Sequence, residues 1–274
     1  MDAFQTMVKY YNTCEKKDTN YQIIEYILKH IDTINSMAIT QIAEETYVSK
    51  PTITRFIRKF GYKDYDDFKK SIYNTYHKNF NSSFRLTDNQ MYVLEREPKK
   101  FLDEYADSIC DAINDFKNHF NYTKIDFLID EMMSKECAIF AYNQPLNCAM
   151  EIQNDFFMKN KIIQVGESYS KQLEIANSLT KNDLAIIMSN YGNYFNEYKE
   201  IKDILIQNNV PIILITLNYH SPQLLNFKDI IYLSSQPFTG VGSYPMKLFT
   251  EYMVRRLRVK YDYSTLVDHL FRLG

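Results

Sequence analysis

From residue 3 to residue 133, outside the stretch 81–97 that has no clear period, apolar side chains recur every three or four positions, the spacing of helices that bury one face. Phe4, Met7, Val8 and Tyr11 share a face over 3–16. Thr19 and Gln22 have capping-box spacing and open a helix to His30, whose stripe is Ile23, Ile24, Ile27, Leu28 and Ile31. Ile39, Ile42 and Ala43 mark a short helix that breaks at Tyr47-Val48. Ser49 then stands as an N-cap and Pro51 lies in the first turn, where its missing N–H costs nothing. Ile53, Phe56, Ile57 and Phe60 form the next stripe, and Gly61 is a C-terminal stop. Helices over 65–80, 98–119 and 123–133 follow, the last capped by Thr123.

The rhythm changes at Glu136. Apolar runs of strand length (137–142, 162–165, 184–189, 211–216 and 230–234) alternate with helical patterns near 146–159, 171–179, 196–208, 221–226 and 243–260. A short amphipathic helix is expected in 261–274. Strands apolar on both faces, alternating with helices, predict a parallel sheet covered on two sides. The expected organisation is an all-α helix-turn-helix domain over 1–80, a linker over 81–97, and a three-layer α/β domain over 98–274.

Within the first domain, residues 50–59 carry no acid, and the helix they form has an apolar side and a cationic side. The run ITQIAEETYVSKPTITRFIRKFGYKDYDDFK resembles the helix-turn-helix of the RpiR/MurR transcriptional regulators. Ile39, Ile42, Ala43, Val48, Ser49, Thr52, Ile53, Arg55, Phe56, Arg58, Gly61, Tyr62, Phe68 and Lys69 match its pattern. Tyr47 departs from it, because the family usually has glycine in that turn; a positive φ there would strain a tyrosine. The resemblance implies DNA contacts from Ser49, Lys50, Thr52, Thr54, Arg55, Arg58, Lys59 and Lys69. Residues at the start of the helix would reach base edges, and Lys59 and Lys69 would meet phosphates. Arg55 has a competing role in tying the helix to its own domain. The partner is a duplex operator with an inverted repeat, read by a homodimer or tetramer.

The second half resembles the sugar isomerase (SIS) domain that follows the DNA-binding domain in that family and usually senses a sugar phosphate. DLAIIMSNYG (183–192) and PIILITLNYHSP (211–222) carry the likeness. It implies an effector site of Asn143, Gln144, Ser189, Tyr191, Gly192 and Asn193 at strand–helix junctions, where backbone N–H groups meet an anion. Compared with the family pattern, Tyr191 replaces a serine, and AYNQPLN (141–147) has neither glycine nor serine. Two other readings of this domain therefore stand beside the sugar-phosphate sensor: a different ligand, or dimerisation alone. Thr216, Asn218 and Ser221 could line the site, or Ser221-Pro222 could simply start a helix.

Charge and composition narrow the classes. Residues 1–80 hold twelve basic against ten acidic side chains, and 81–274 hold twenty against twenty-four. Neither half is polybasic, so DNA binding must rest on a local patch and on dimerisation. The four cysteines (Cys14, Cys110, Cys137 and Cys148) have no zinc or disulfide spacing, and the five histidines show no ligand spacing. No metal and no cofactor is expected. The acids Asp64, Asp66 and Asp67 read as the first turn of a helix. No apolar run has membrane length and the start lacks a signal-peptide pattern, so the cytoplasm is the expected compartment. The rival reading is a phosphosugar isomerase, with Glu151, His220 or Glu251 as general base.

Overall fold

The computed structural model describes residues 3–83, 86–217, 227–238 and 240–272. Contacts divide the chain into two compact units, Met1–Leu86 and Thr87–Gly274.

The first unit is helical: α1 (Ala3–Thr13), α2 (Thr19–Lys29), a 3-10 turn at Ile34–Ser36, α3 (Ile39–Glu45), α4 (Lys50–Lys59) and α5 (Tyr65–Ser83). Ile23, Ile24, Ile27, Ile42, Ile53, Phe56, Ile57, Phe68 and Ile72 close one core. The cap of α2 is Asp18, one residue earlier than the sequence pattern suggests. Its carboxylate accepts the Tyr21 N–H at 2.8 Å, which leaves Thr19 as the first helical residue. Both α3 and α4 end in a Schellman motif. At α4, Tyr62 N–H reaches Ile57 O and Gly61 N–H reaches Arg58 O, with Gly61 at φ +88°. At α3, Val48 N–H reaches Ala43 O and Tyr47 N–H reaches Glu44 O, with Tyr47 at φ +55°.

The stretch expected as a linker, 81–97, holds α6 (Asp88–Arg96). A capping box starts it: Thr87 Oγ1 accepts the Gln90 N–H, and Gln90 Oε1 accepts the Thr87 N–H. Its pattern is faint because Val93 is its buried residue, while Met91, Tyr92 and Leu94 are exposed. Next come α7 (Pro98–His119) and α8 (Thr123–Ser134). Thr123 is the first residue of α8 rather than its cap; its N–H and hydroxyl donate to Asn121 Oδ1.

The sheet is fully parallel, in the order β2 (Ile163–Val165), β1 (Cys137–Ala141), β3 (Leu184–Met188), β4 (Ile212–Thr216), β5 (Asp229–Tyr232). Side chains alternate across it, as the two-residue period of a strand requires. Cys137, Ile139, Leu184, Ile186, Ile213 and Ile215 share one core with residues of α7, α8, α9 (Gln144–Phe157) and α13 (Tyr244–Arg272). Ala138, Phe140, Ala185, Ile187 and Leu214 share the other with α10 (Tyr169–Ser178), α11 (Tyr194–Glu197) and α12 (Lys199–Gln207). α13 runs unbroken through the region where a separate C-terminal helix was expected. The helix expected over 221–226, and with it Asn218, His220 and Ser221, lies outside the described residues.

Candidate DNA interface and effector crevice

α4 has the two faces its sequence predicts. Ile53, Phe56 and Ile57 are at most 2 % exposed, whereas Lys50, Thr54, Arg55, Arg58 and Lys59 face solvent. Ser49 Oγ caps the helix through the Thr52 N–H at 3.4 Å and lies 2.9 Å from Thr52 Oγ1, so both hydroxyls are held at the helix start. Lys50, Arg55 and Arg58 make no ion pair or hydrogen bond through their side chains among the described residues. The alternative role of Arg55, anchoring the helix, therefore finds no contact there. Two other cations are committed to the fold. Lys59 Nζ lies 5.0 Å from the centre of the Tyr10 ring, and Lys69 Nζ sits 5.0 Å from the Tyr65 ring and 3.7 Å from Asp66. Asp64 and Asp67 serve as helix-start acceptors, for the N–H of Asp67 and of Lys63 respectively. No cluster of metal-ligating side chains occurs among the described residues.

In the second unit the connection from β1 to β2 runs to one side of the sheet and that from β2 to β3 returns to the other. The switch point of the topology therefore lies between β1 and β3, and the region beyond their C-terminal ends is where open α/β sheets form their ligand crevice. The two loops meet there through Tyr142 and Asn193, of which only Asn193 is among the expected site residues. Asn193 Oδ1 accepts the Tyr142 hydroxyl at 2.9 Å and the Ser189 hydroxyl at 3.3 Å, tying the loop after β1 to the loop after β3. Asn143 starts α9 at φ +56°, ψ −134°, without a side-chain cap. Gly192 turns the second loop at φ +68°. Gln144 Oε1 lies 3.8 Å from where a Cβ on Gly242 would stand.

Tyr142 belongs to the AYNQPLN stretch but is not among its expected site residues, and Ser243 lies outside both motifs: Asn190 Nδ2 donates to Ser243 Oγ at 2.5 Å, drawing the start of α13 to the crevice. Beneath them, buried Gln172 donates to Ala141 O and Gly166 O, both at 2.8 Å, and accepts the hydroxyl of Tyr194. A Cβ on Gly166 would stand 2.7 Å from the Gln172 backbone N, so only glycine fits. Scarcity was the available signal, because the chain has six glycines in 274 residues. Burial of Tyr194 pushes its phenol well above the ordinary range. Tyr191 lies in the second loop, half-buried, and Thr216 donates to Asn190 O at 3.3 Å.

Of the three candidate isomerase bases, Glu151 and Glu251 are engaged in ion pairs, and His220 lies outside the described residues. Glu151 pairs with Lys247 at 2.5 Å. Glu251 pairs with Arg255 at 2.8 Å, and the Arg255 hydrogen bond holds its carboxyl below the usual range. A cavity of about 300 Å³ lies instead beside β5, lined by Phe116, His119 and Lys124 among others; Lys124 there is already bonded to Asp229 at 2.7 Å.

A helix-turn-helix with free cations on its second helix, joined to a parallel α/β domain, is the build of a DNA-binding transcriptional regulator. Comparison with known proteins agrees. Residues 9–79 match the helix-turn-helix domain of the rpiR family. An uncharacterised HTH-type transcriptional regulator of Clostridium perfringens is 25% identical over 231 residues, covering 82% of this chain and 80% of that protein. The HTH-type transcriptional regulator HexR of Pseudomonas aeruginosa is 20% identical over 193 residues, 70% of this chain and 64% of its own length. Vibrio vulnificus NanR, solved in complex with ManNAc-6P, superposes with a TM-score of 0.51 at 17% identity, over 99% of this chain and 97% of its own. The first unit is thus an rpiR-family helix-turn-helix domain, followed here by a parallel α/β domain, and the chain's relatives are HTH-type transcriptional regulators. No described helix is long and apolar enough to cross a membrane.

Proposed function

We propose that α4 enters the major groove of a duplex operator, that two copies of the chain read an inverted repeat, and that a sugar phosphate at the β1/β3 crevice modulates binding. The observation that carries this is α4 itself. Its apolar stripe is sealed in the core while Lys50, Arg55 and Arg58 stand free on a helix that carries no acid, and groove-reading helices need that division. One such helix offers few phosphate contacts, so a dimer supplies the affinity.

For the effector, the supporting features are hydroxyl and amide side chains on two strand–helix junctions and the ManNAc-6P found on the similarly folded NanR. Linkage requires that an effector which weakens operator binding is itself bound less tightly when the operator is present. The genes served belong to carbohydrate metabolism, and the compartment is the cytoplasm, where the operator is.

The test selects operators from a random-sequence duplex library with the full-length protein, then repeats the binding with a panel of sugar phosphates. Recovery of an inverted repeat whose affinity shifts with one phosphate supports the proposal. No enrichment of any sequence would overturn it.

A further inference from the structure

Among the described residues, four helices end in the same Schellman hydrogen-bond pattern. Each has a residue of positive φ just past its last turn: Tyr47 (+55°), Gly61 (+88°), Asn160 (+57°) and Asn209 (+54°). Glycine and asparagine are the residues that adopt this conformation at little cost. Three of the four sites conform. Tyr47 does not, and its ring and hydroxyl give the fold nothing in return, since the residue is 97% exposed and makes no side-chain contact among the described residues. A bulky residue held in a costly conformation, with no partner of its own, points to a role outside the folded chain.

Its position supplies the partner. Tyr47 stands two residues before Ser49, the N-cap of α4, in the turn that joins the two helices of the motif. Lys50 begins α4 immediately after and is exposed. Any duplex approached by the start of α4 also meets this turn. Two acids, Glu44 and Glu45, close α3 beside it, so a neutral donor suits the spot. A phenol is such a donor: it carries an O–H for a phosphate oxygen.

We infer that Tyr47 is a DNA-contact residue, its hydroxyl donating to a backbone phosphate of the operator beside the start of α4. This rests on the assignment of α4 as the recognition helix. The contact carries no sequence information and no charge. Its loss therefore weakens binding to all sequences alike and leaves the salt dependence unchanged, because no counterion is released by a neutral donor.

Two substitutions separate the fold from the contact. Tyr47→Gly relieves the strain, and Tyr47→Phe keeps ring and backbone but removes the hydroxyl. With the selected operator and the full-length protein, both variants should bind about tenfold more weakly, as expected for a hydrogen bond to a charged group. Tyr47→Gly should at the same time raise the thermal midpoint. Arg58→Ala serves as the control, lowering the slope of log affinity against log salt by about one where the Tyr47 variants leave it alone. Binding of Tyr47→Gly and Tyr47→Phe within twofold of the parent would overturn the inference while α4 remains the recognition helix. So would a midpoint for Tyr47→Gly that does not rise, since the argument from strain would then fail. If the parent protein enriches no operator, the assignment of α4 falls and this contact with it.

Discussion

Asn193 accepts the phenol of Tyr142 at 2.9 Å, a bond that spans fifty-one positions of sequence and closes the crevice between β1 and β3. Asn193 also takes the hydroxyl of Ser189, which is 2% exposed. Removing one donor and removing the shared acceptor should therefore differ. Tyr142→Phe is expected to cost about 1 kcal/mol, and Asn193→Ala more, because it leaves two hydroxyls without their acceptor. Urea unfolding of the two variants and of the double variant measures the coupling. Equal losses from the two single substitutions would show that Ser189 is satisfied in another way.

Asn143 starts α9 in a backbone region that glycine occupies freely. Asn143→Gly should raise stability, because the relief of about 1–3 kcal/mol exceeds the entropic cost of about 0.5–1 kcal/mol for a glycine. A shift of the urea midpoint to higher concentration checks it. If the same variant loses effector response, the asparagine side chain is kept for the ligand.

Tyr194 predicts the alkaline limit of the domain. A tyrosine ordinarily ionises near 10.0, and burial raises the folded value well above that. The unfolded chain therefore gives up this proton more readily than the folded one. The stabilisation is complete below pH 10 and declines as pH rises beyond it. Tyr169, in the same unit and bonded to Glu200, is pushed up to about 12 and adds to the same decline. Tyr194→Phe should show a shallower fall of stability between pH 9 and pH 11 on a scale of about 1.36 kcal/mol per unit and group. It should also be less stable at neutral pH, because Gln172 loses the hydroxyl it accepts. A decline as steep as that of the parent would remove Tyr194 from the account.

The cations of the first unit should sort into two kinds. Arg55→Ala and Arg58→Ala are expected to weaken operator binding, lowering the salt slope by about one each, with the thermal midpoint unchanged. Lys59→Ala and Lys69→Ala remove contacts with the Tyr10 and Tyr65 rings. These two should lower stability by about 0.5–1 kcal/mol at such exposed sites. Titration of the operator, paired with thermal unfolding, separates the classes; a lost midpoint in Arg55→Ala would give that side chain a structural role instead.

How far the sequence was readable depended on how local the determining chemistry is. Ser49 and Gly61 stand where they were placed, because a cap and a stop are decided by adjacent backbone groups. Asp18 and Thr19 are adjacent and both good caps, so the sequence pattern alone does not choose between them, and the structure uses Asp18. α6 was missed because Val93 is its one buried residue and the remainder of its face looks like a loop. At the crevice, Ser189, Gly192 and Asn193 were visible as a strand–helix junction. Gln172 and Ser243 were not, since they reach their partners Ala141 and Asn190 across thirty-one and fifty-three positions. No local pattern encodes such a bond.

The bond from Asn190 to Ser243 places the root of the longest helix at the crevice. α13 has 29 residues, which gives a rod about 43 Å long. Such a rod turns a small rotation into a large displacement: a tilt of about 5° at Ser243 moves the far end by about 4 Å. Whatever shifts the Asn190–Ser243 bond therefore moves the short arm of a lever.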